Sequence, residues 1–312
     1  MSFAREVKEE LSRLPLTEAC VAAELSAIAR LSAQIETVDD IWRVIFYTEN
    51  AAIARRMYVL VKELFGPVGE VSVRKNMRLK KNNTYGIRLH VAPDDVARHL
   101  GLTYEKGARA LMGPLDEALT EREDCARAYL RGAFLSRGSV NAPSSSSYHL
   151  ELMAKDEAHA LEIQRHLARF ALEGKILQRK RGWIVYYKEG EKITAFLSLI
   201  GAHRALFRFE DARIVKDMRN TVNRLVNCET ANLNKTVQAA LEQMRDIELI
   251  EERLGLSELS PKLREVAEAR LKYPEATLNE LGALIKPHPL SKSTVNHRLR
   301  KIRELAERLK RS

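Results

Sequence analysis

The sequence contains an internal repeat, and this repeat constrains the fold more than any other feature. Cys20–Ala33 aligns with Cys125–Gly138 after a shift of 105 residues, with Cys, Ala and Leu at the same offsets. The same shift carries 44–47 onto 149–152 and 71–74 onto 176–179, so the repeat extends well beyond one segment. Both copies have small residues at helical spacing, which lets two helix backbones approach closely. These residues are Ala27, Ala29, Ala33, Gly132, Ala133 and Gly138.

The second copy of this segment has a recognisable signature. Leu130–Gly138 resembles the LAGLIDADG motif of homing endonucleases with its acidic residues removed. In those nucleases the last Asp holds the metal that activates water, and here Arg137 stands at that position and Ser32 at its equivalent in the first copy. The resemblance implies a DNA-cutting fold with two motif helices side by side, no catalytic residue and no metal. Helix packing alone is the alternative explanation, and the two are compatible.

Composition limits the class of protein. A chain of 312 residues has room for about two domains at roughly 100–200 residues each. The net charge of +10 favours a polyanionic partner, and the sequence lacks the roughly 18 consecutive apolar residues of a membrane span. We therefore expect a cytoplasmic protein. Cys20, Cys125 and Cys228 have no ligand spacing typical of zinc, so we expect free, mostly buried thiols, no metal and no cofactor.

The pattern of elements divides the chain into two domains. Residues 1–210 hold the two repeats, at about 15–105 and 120–205, each ordered helix, hairpin, helix, hairpin, helix. Residues 211–235 form a polar linker rich in Asn and Arg, in which 214–225 is the helical part. Contact of this linker with a nucleic-acid backbone is an open alternative. Residues 236–312 then form a small all-helical domain.

Cations concentrate in the second hairpin of each repeat, which suggests two sheets side by side as a saddle for duplex DNA. Trp183, Tyr186 and Tyr187 add aromatic surface among them. The alternative is an ordinary solvated sheet face over an aromatic core layer. The candidate DNA contacts of the saddle are Arg74, Lys75, Arg78, Lys80, Arg88, Arg179, Lys180, Arg181 and Lys188.

The tail has strong helix signals. Pro261–Lys272 opens with proline in its first turn, and Thr277 with Glu280 forms a capping box at the start of a short helix. Ser291 caps a final helix, with Leu290 and Val295 at the two positions of a hydrophobic staple. This helix has an apolar face at helical spacing, formed by Val295, Leu299, Ile302, Ala306 and Leu309.

The other face of the final helix has donors for base edges and phosphates. Residues 286–312 contain nine Lys or Arg and two Glu. A helix-turn-helix over about 275–309 would insert the start of this helix in the major groove, although the turn is longer than usual. A merely solvated basic helix is the alternative. The candidate DNA-binding residues are Lys292, Ser293, Thr294, Asn296, His297, Arg298, Arg300 and Lys301.

Taken together, these segments resemble one family, the WhiA proteins of bacteria, over essentially the whole chain. The resemblance also uses 2–12, 290–302 and the linker residues Arg224, Asn227, Ala231, Asn232 and Lys235. It implies a pseudo-two-fold LAGLIDADG-like α+β domain followed by a helix-turn-helix domain. It also implies a DNA-binding, nucleoid-associated regulator without nuclease activity, acting in transcription of sporulation genes where these exist, and in cell division and chromosome segregation.

Two other functions remain as alternatives. The first domain can be a protein-interaction scaffold, with the tail supplying weak, nonspecific DNA affinity. An active metal-dependent endonuclease would need a carboxylate outside the motif positions, such as Glu36 or Asp124.

Overall fold

The chain forms two compact units, Met1–Asp217 and Met218–Ser312. The computed structural model describes residues 2–15, 17–38, 41–66, 69–75, 83–180 and 182–311. The first unit combines helices with two four-stranded sheets, and the second is helical in its described residues. The predicted α+β class with a helical tail is confirmed. None of the described helices is both long and apolar enough to cross a bilayer.

The first repeat follows helix α1 (Phe3–Leu11). Its elements are α2 (Val21–Ser32), β1 (Ala33–Val38), β2 (Ile41–Thr48), α3 (Ala51–Phe65), β3 (Gly69–Lys75), β4 (Asn83–Leu89) and α4 (Pro93–His99). The strands form an antiparallel sheet in the order β1-β2-β4-β3. Helix α2 begins directly after a 3-10 turn at Glu18–Cys20.

The second repeat has the same connectivity. Its elements are α5 (Glu123–Arg137), β5 (Ser139–Val140), β6 (Leu150–Ala154), α6 (Glu157–Ala168), β7 (Lys175–Arg179), β8 (Gly182–Tyr187) and α7 (Gly190–Leu199). The strand order β5-β6-β8-β7 repeats that of the first sheet. Alternating burial along β6 shows one face of this sheet against the core and one facing outward.

The two motif helices, α2 and α5, pack closely against each other in the core of the first unit. Gly132 of α5 is the point of closest approach, because a Cβ there would overlap the backbone oxygen of Glu24 and lie 3.0 Å from the Cβ of Ala27. Only glycine fits this contact. Of the small residues recognised in the sequence, Gly132 and Ala27 make this contact between the two helices.

Two buried ionic clusters hold the repeats together. Glu24 accepts hydrogen bonds from Arg56 at 2.8 Å and from Arg131 at 3.1 Å, and Glu162 lies 3.2 Å from Arg30. Each cluster takes one arginine from the other repeat, since Arg131 lies on α5 and Arg30 on α2. Both carboxylates are almost fully buried. Removing one partner would leave an uncompensated buried charge, so the clusters favour one arrangement of the repeats.

Cys20 and Cys125 form a disulfide, so the prediction of free thiols at these positions is wrong. They occupy equivalent positions at the start of the two motif helices. Because those helices pack side by side, the Cα atoms lie 4.6 Å apart, within the usual range for a disulfide. Cys228 is free as predicted, but it is exposed rather than buried.

The segment expected to be a linker is helical along its whole length. Helix α8 (His203–Arg253) runs without interruption for 51 residues and includes all of 211–235. The prediction that only 214–225 of this segment is helical is therefore wrong. The many Asn residues lower helix propensity without preventing a helix that is continuous with well-packed turns at both ends. The boundary between the two units falls within α8.

The second unit has its own core beneath three further helices. These are α9 (Pro261–Lys272), α10 (Leu278–Leu284) and α11 (Lys292–Arg311). The capping box is confirmed, since Glu280 accepts from the Thr277 backbone N–H at 2.8 Å and Thr277 accepts from the Glu280 N–H at 3.3 Å. The former bond lowers the pKa of the Glu280 carboxyl. Val295 is fully buried, and Leu290 packs against the same core, as the predicted staple requires.

The first prediction tests the contact between the motif helices. Gly132→Ala should destabilise the chain by about 1–3 kcal/mol, because the added methyl group overlaps the backbone of α2. The control is Arg127→Ala, at an exposed position of α5, which should cost no more than about 1 kcal/mol because it loses only surface contacts with Glu123 and the Phe170 ring. Urea unfolding measures both. A neutral or stabilising Gly132→Ala would contradict the close approach.

Candidate nucleic-acid interface

The start of α11 exposes most of the residues predicted to contact DNA. Lys292, Asn296 and His297 are exposed, as are Arg300 and Lys301 one turn later. The buried side of the helix fixes this orientation, because Val295 and Leu299 pack into the core of the second unit. The helix therefore presents amide, imidazole and cationic groups together on one outward face.

Hydroxyl groups organise the first turn of α11. The Ser291 Oγ accepts a hydrogen bond from the Thr294 backbone N–H at 3.3 Å, as predicted for a helix cap. Its Oγ also lies 2.9 Å from the hydroxyl oxygens of Ser293 and Thr294. Thr294 is half-buried and engaged in this cap, whereas Ser293 is exposed. The helix N-terminus adds a partial positive charge at the same place.

Arg298 is a correction to the predicted set of phosphate contacts. Its guanidinium donates to the carboxylate of Glu265 at 2.9 Å and to the backbone oxygen of Lys262 at 3.1 Å. The side chain is only 14% exposed. Arg298 therefore ties α11 to α9 within the fold. The sequence could not distinguish it from its neighbours because its partners lie more than 30 residues away.

The turn before α11 is long but tightly held. The Leu290 backbone N–H donates to the Gly282 oxygen at 2.9 Å, which closes the turn between α10 and α11. A Cβ on Gly282 would overlap the Leu290 carbonyl oxygen, so glycine is required there. This contact explains how a turn longer than that of an ordinary helix-turn-helix still positions the second helix.

On the first sheet, the predicted saddle residues divide between the two faces. Residues opposite each other in a sheet share a face, which places Arg88 with Glu70, and Arg74 with Thr84, on the outward face. Arg88 pairs with Glu70 at 2.8 Å. Lys75 follows Arg74 directly and so points to the other face, contrary to the prediction. Arg78 and Lys80 lie outside the described residues.

The second sheet shows a similar balance of charge. Arg179 is on the outward face and pairs with Glu151 at 3.1 Å. Lys180 and Lys188 are exposed, and the Lys188 ammonium lies 5.7 Å from the centre of the Tyr186 ring. Arg181 lies outside the described residues.

The predicted aromatic surface is only partly present. Tyr186 lies on the outward face, opposite Glu151. Tyr187 is 1% exposed and packs in the core, and Trp183 packs against the same core. Because carboxylates pair with Arg88 and Arg179, two of the three outward arginines in the described strands are neutralised, and the cationic surface is weaker than predicted.

The LAGLIDADG motif would place its metal-binding carboxylates at the C-terminal ends of α2 and α5. No carboxylate is present at either position. The Ser32 and Ser136 hydroxyl oxygens lie 2.9 Å apart, and Arg137 is exposed. Burial, and to a smaller extent the charge of Arg137, lowers the pKa of Lys8 on α1 to about 8. Two basic groups thus lie near this end of α5.

Neither alternative carboxylate restores a metal site. Glu36 accepts a hydrogen bond from the Tyr47 hydroxyl at 3.0 Å, and Asp124 pairs with Arg122 at 2.7 Å near the start of α5, at the other end from Arg137. Among the described residues, the one group of three potential ligands is Asp124 with the two disulfide-bonded cysteines. The residues present therefore do not fit the metal centre of a LAGLIDADG nuclease.

Family models match nearly the whole chain. The WhiA N-terminal LAGLIDADG-like domain matches residues 18–103, the WhiA LAGLIDADG-like domain matches 126–219, and the WhiA C-terminal helix-turn-helix domain matches 222–306. The chain belongs to the WhiA family. The helix-turn-helix match begins inside α8, so this family's tail domain includes the second half of that helix.

Similar proteins support the same assignment. A protein named probable cell division protein WhiA from Oceanobacillus iheyensis is 49% identical over 100% of this chain and 98% of its own length. One of the same name from Geobacillus sp. strain WCH70 is 50% identical over 99% of this chain and 97% of its own. The crystal structure of full-length DUF199/WhiA from Thermatoga maritima is 30% identical, covers 99% of both chains and has a TM-score of 0.59.

The second prediction tests the structural role of Arg298. Arg298→Ala should destabilise the second unit by about 1–2 kcal/mol, because it removes charge-assisted hydrogen bonds to α9. The control is Lys301→Ala, an exposed cation on the same helix, which should leave stability within about 0.5 kcal/mol. Urea unfolding of both variants provides the comparison. Unchanged stability of Arg298→Ala, together with weaker DNA binding, would restore its assignment as a phosphate contact.

Proposed function

We propose that this WhiA protein is a sequence-specific DNA-binding regulator without nuclease activity. The observation that carries the proposal is the outward face of α11. Asn296 and His297 are exposed there between exposed cations. The opposite side of the helix packs into the core of the second unit, which fixes the orientation of this face. Amides and basic groups at the start of a helix are suited to base edges and phosphates in a major groove. The helix-turn-helix family match over 222–306 supports the same use of this surface.

The cellular role that fits is regulation of cell division, as in the names of its relatives. The family resemblance extends the proposal to transcription, including sporulation genes where these exist, and to chromosome segregation. A protein of this kind would act on the nucleoid in the cytoplasm. Its net charge of +10 is compatible with a nucleic-acid partner.

The LAGLIDADG-like unit has a separate role in this proposal. Its outward sheet faces pair Arg88 with Glu70 and Arg179 with Glu151. Neutralised arginines are poor phosphate contacts, so this unit would contribute weak DNA affinity or bind a protein partner. A scaffold with nonspecific DNA binding is therefore the second candidate function.

The third prediction separates base readers from phosphate contacts on α11. Asn296→Ala or His297→Ala in the full chain should cost about 1–3 kcal/mol on the preferred duplex and little on random DNA. Lys292→Ala or Lys301→Ala should weaken both duplexes equally and lower the salt slope by about one unit. Fluorescence anisotropy over a salt series measures each effect.

The scaffold alternative makes the opposite prediction for these variants. If Asn296, His297 and Arg300 can all be changed to Ala with site-specific affinity unaltered, α11 is not the reader. In that case a different surface recognises the sequence, or the protein has no sequence preference. A duplex selected by the full chain from a random pool is the substrate for this comparison.

The fourth prediction concerns cleavage. Purified protein with magnesium or manganese should leave duplex DNA intact, because Ser32 and Arg137 stand where two carboxylates would hold the metal. Gel analysis of supercoiled plasmid detects single nicks. Metal-dependent nicking that survived repurification, and that disappeared on mutation of Glu36 or Asp124, would overturn the assignment of a non-catalytic protein.

A further inference from the structure

The middle of α8 has an unusual surface. Every residue from 217 to 239 is exposed. Asn220, Asn223 and Asn227 follow one another at intervals of three and four residues, and Asn234 continues the same line two turns later. Residues at this spacing share one face of a helix. We call this surface the asparagine face, comprising Asn220, Asn223, Asn227 and Asn234.

Helix stability does not explain these residues. Asn is among the weaker helix formers, because its side chain competes for backbone hydrogen bonds. Asn232, which lies off this face, bonds to the Cys228 sulfur at 3.8 Å. In the described part of the chain, none of the four side-chain amides of the asparagine face has such a partner. Four amides are therefore exposed to solvent. They lower the helix propensity of α8 and make no side-chain hydrogen bond that would offset this within the described residues.

Charge around the asparagine face suits a polyanion. Arg219 and Arg224 lie on its two sides, and Lys235 follows further along the helix. Glu229 is the one carboxylate between residues 218 and 239. By its spacing it falls on the opposite face of the helix, with the exposed apolar residues Met218 and Leu225. Asp217, three residues before Asn220, is an acidic neighbour at the N-terminal end of the face, and no other carboxylate lies within four residues of Asn220, Asn223 or Asn234 on that side of the helix.

The C-terminal third of α8 joins this surface to the helix-turn-helix core. Ile247 and Ile250 are fully buried in the core of the second unit. Asp246 pairs with Lys310 of α11 at 2.9 Å, and Glu242 lies 3.6 Å from Arg303. Because the C-terminal third of α8 is packed in this way, the exposed residues before it extend in a fixed direction from the second unit, which also contains α11.

We propose that the asparagine face of α8 is a second DNA-reading element, which enters the major groove of duplex DNA. The amides of Asn220, Asn223 and Asn227 bind adenine edges through N6 and N7, and Arg219 and Arg224 bind the flanking phosphates. An Asn side chain makes a bidentate pair with adenine in the major groove. Asn220 and Asn227 are seven residues apart, or about 10 Å along the helix, which spans about three base pairs. This inference rests on the proposed DNA-binding function.

Duplex DNA fits this surface better than other partners. The major groove of B-form DNA admits an α-helix, whereas that of A-form RNA is too narrow for side chains to read. A protein partner would favour the apolar face, where Met218, Val222 and Leu225 are more than half exposed. Amide rows without aromatic or aliphatic anchors are a poor core for a protein interface.

The fifth prediction uses the full chain with Asn220→Ala, Asn223→Ala and Asn227→Ala combined. Alanine is the better helix former, so helix content by circular dichroism should be unchanged or higher, and lost binding cannot be attributed to unfolding. The control combines Asn232→Ala and Thr236→Ala, two exposed polar residues on the opposite face. The probes are a duplex selected by the wild-type chain from a random pool and a shuffled duplex.

The asparagine variant should lose at least about tenfold in affinity for the selected duplex, while binding shuffled DNA much like the wild type. Repeating the selection with this variant should relax two or three neighbouring positions at which the wild type selects adenine. The control should match the wild type in both assays. Wild-type affinity of the asparagine variant, or an equal loss in the control, would overturn the proposal.

Two further measurements separate this inference from the proposed function. If Asn296→Ala with His297→Ala abolishes sequence preference and the asparagine variant does not, α11 alone is the reader and the inference fails. The reverse pattern leaves α8 as the reader and removes the role proposed for α11. If the asparagine variant changes the oligomeric state in light scattering without changing DNA affinity, the face binds a second copy and the inference is also wrong.

Discussion

The close approach of α2 and α5 at Gly132 is the contact on which the first unit depends. A glycine there lets the backbone of one helix lie directly against the other, so equivalent residues of the two repeats meet across their interface. The Cys20–Cys125 disulfide and the arginines exchanged between Glu24 and Glu162 follow from that proximity. Each of these contacts joins one repeat to the other. Glu24 has Arg56 of its own repeat as well as Arg131 of the other, whereas the ion-pair partner of Glu162, Arg30, comes from the other repeat.

The same packing explains how the fold persists without the chemistry that its motif suggests. In a LAGLIDADG nuclease the paired helix ends would bring two carboxylates together at a metal. Here they bring together the hydroxyl groups of Ser32 and Ser136, with Arg137 beside them. Two carboxylates at such a short distance repel each other unless a cation binds between them. Replacing them removes this repulsion while the glycine contact remains, so helix packing and metal chemistry are separable properties of one motif.

Local signals in the sequence predicted most elements and the tail in detail. The bounds of α9, the Thr277–Glu280 capping box and the cap of α11 depend on residues within one or two turns, and the structure confirms them. The failures involve distant partners. Arg298 bonds to Glu265, and Cys20 bonds to Cys125, neither of which adjoins it in sequence. Lys75 is a different case, because adjacent residues of a strand point to opposite faces and so Arg74 and Lys75 cannot both face the same side of the sheet.

The linker shows a different limit of sequence analysis. The sequence predicts a linker in which only 214–225 is helical, yet α8 is continuous through 211–235. Helix formation is cooperative, so a stretch of weak formers stays helical when firmly packed turns continue it on both sides. Phe209 is buried at one end and Ile247 at the other. The low propensity of the asparagines therefore does not set the secondary structure. Their regular spacing instead places several amide groups on one exposed face of the helix. It therefore bears on what the helix can bind rather than on whether the helix forms.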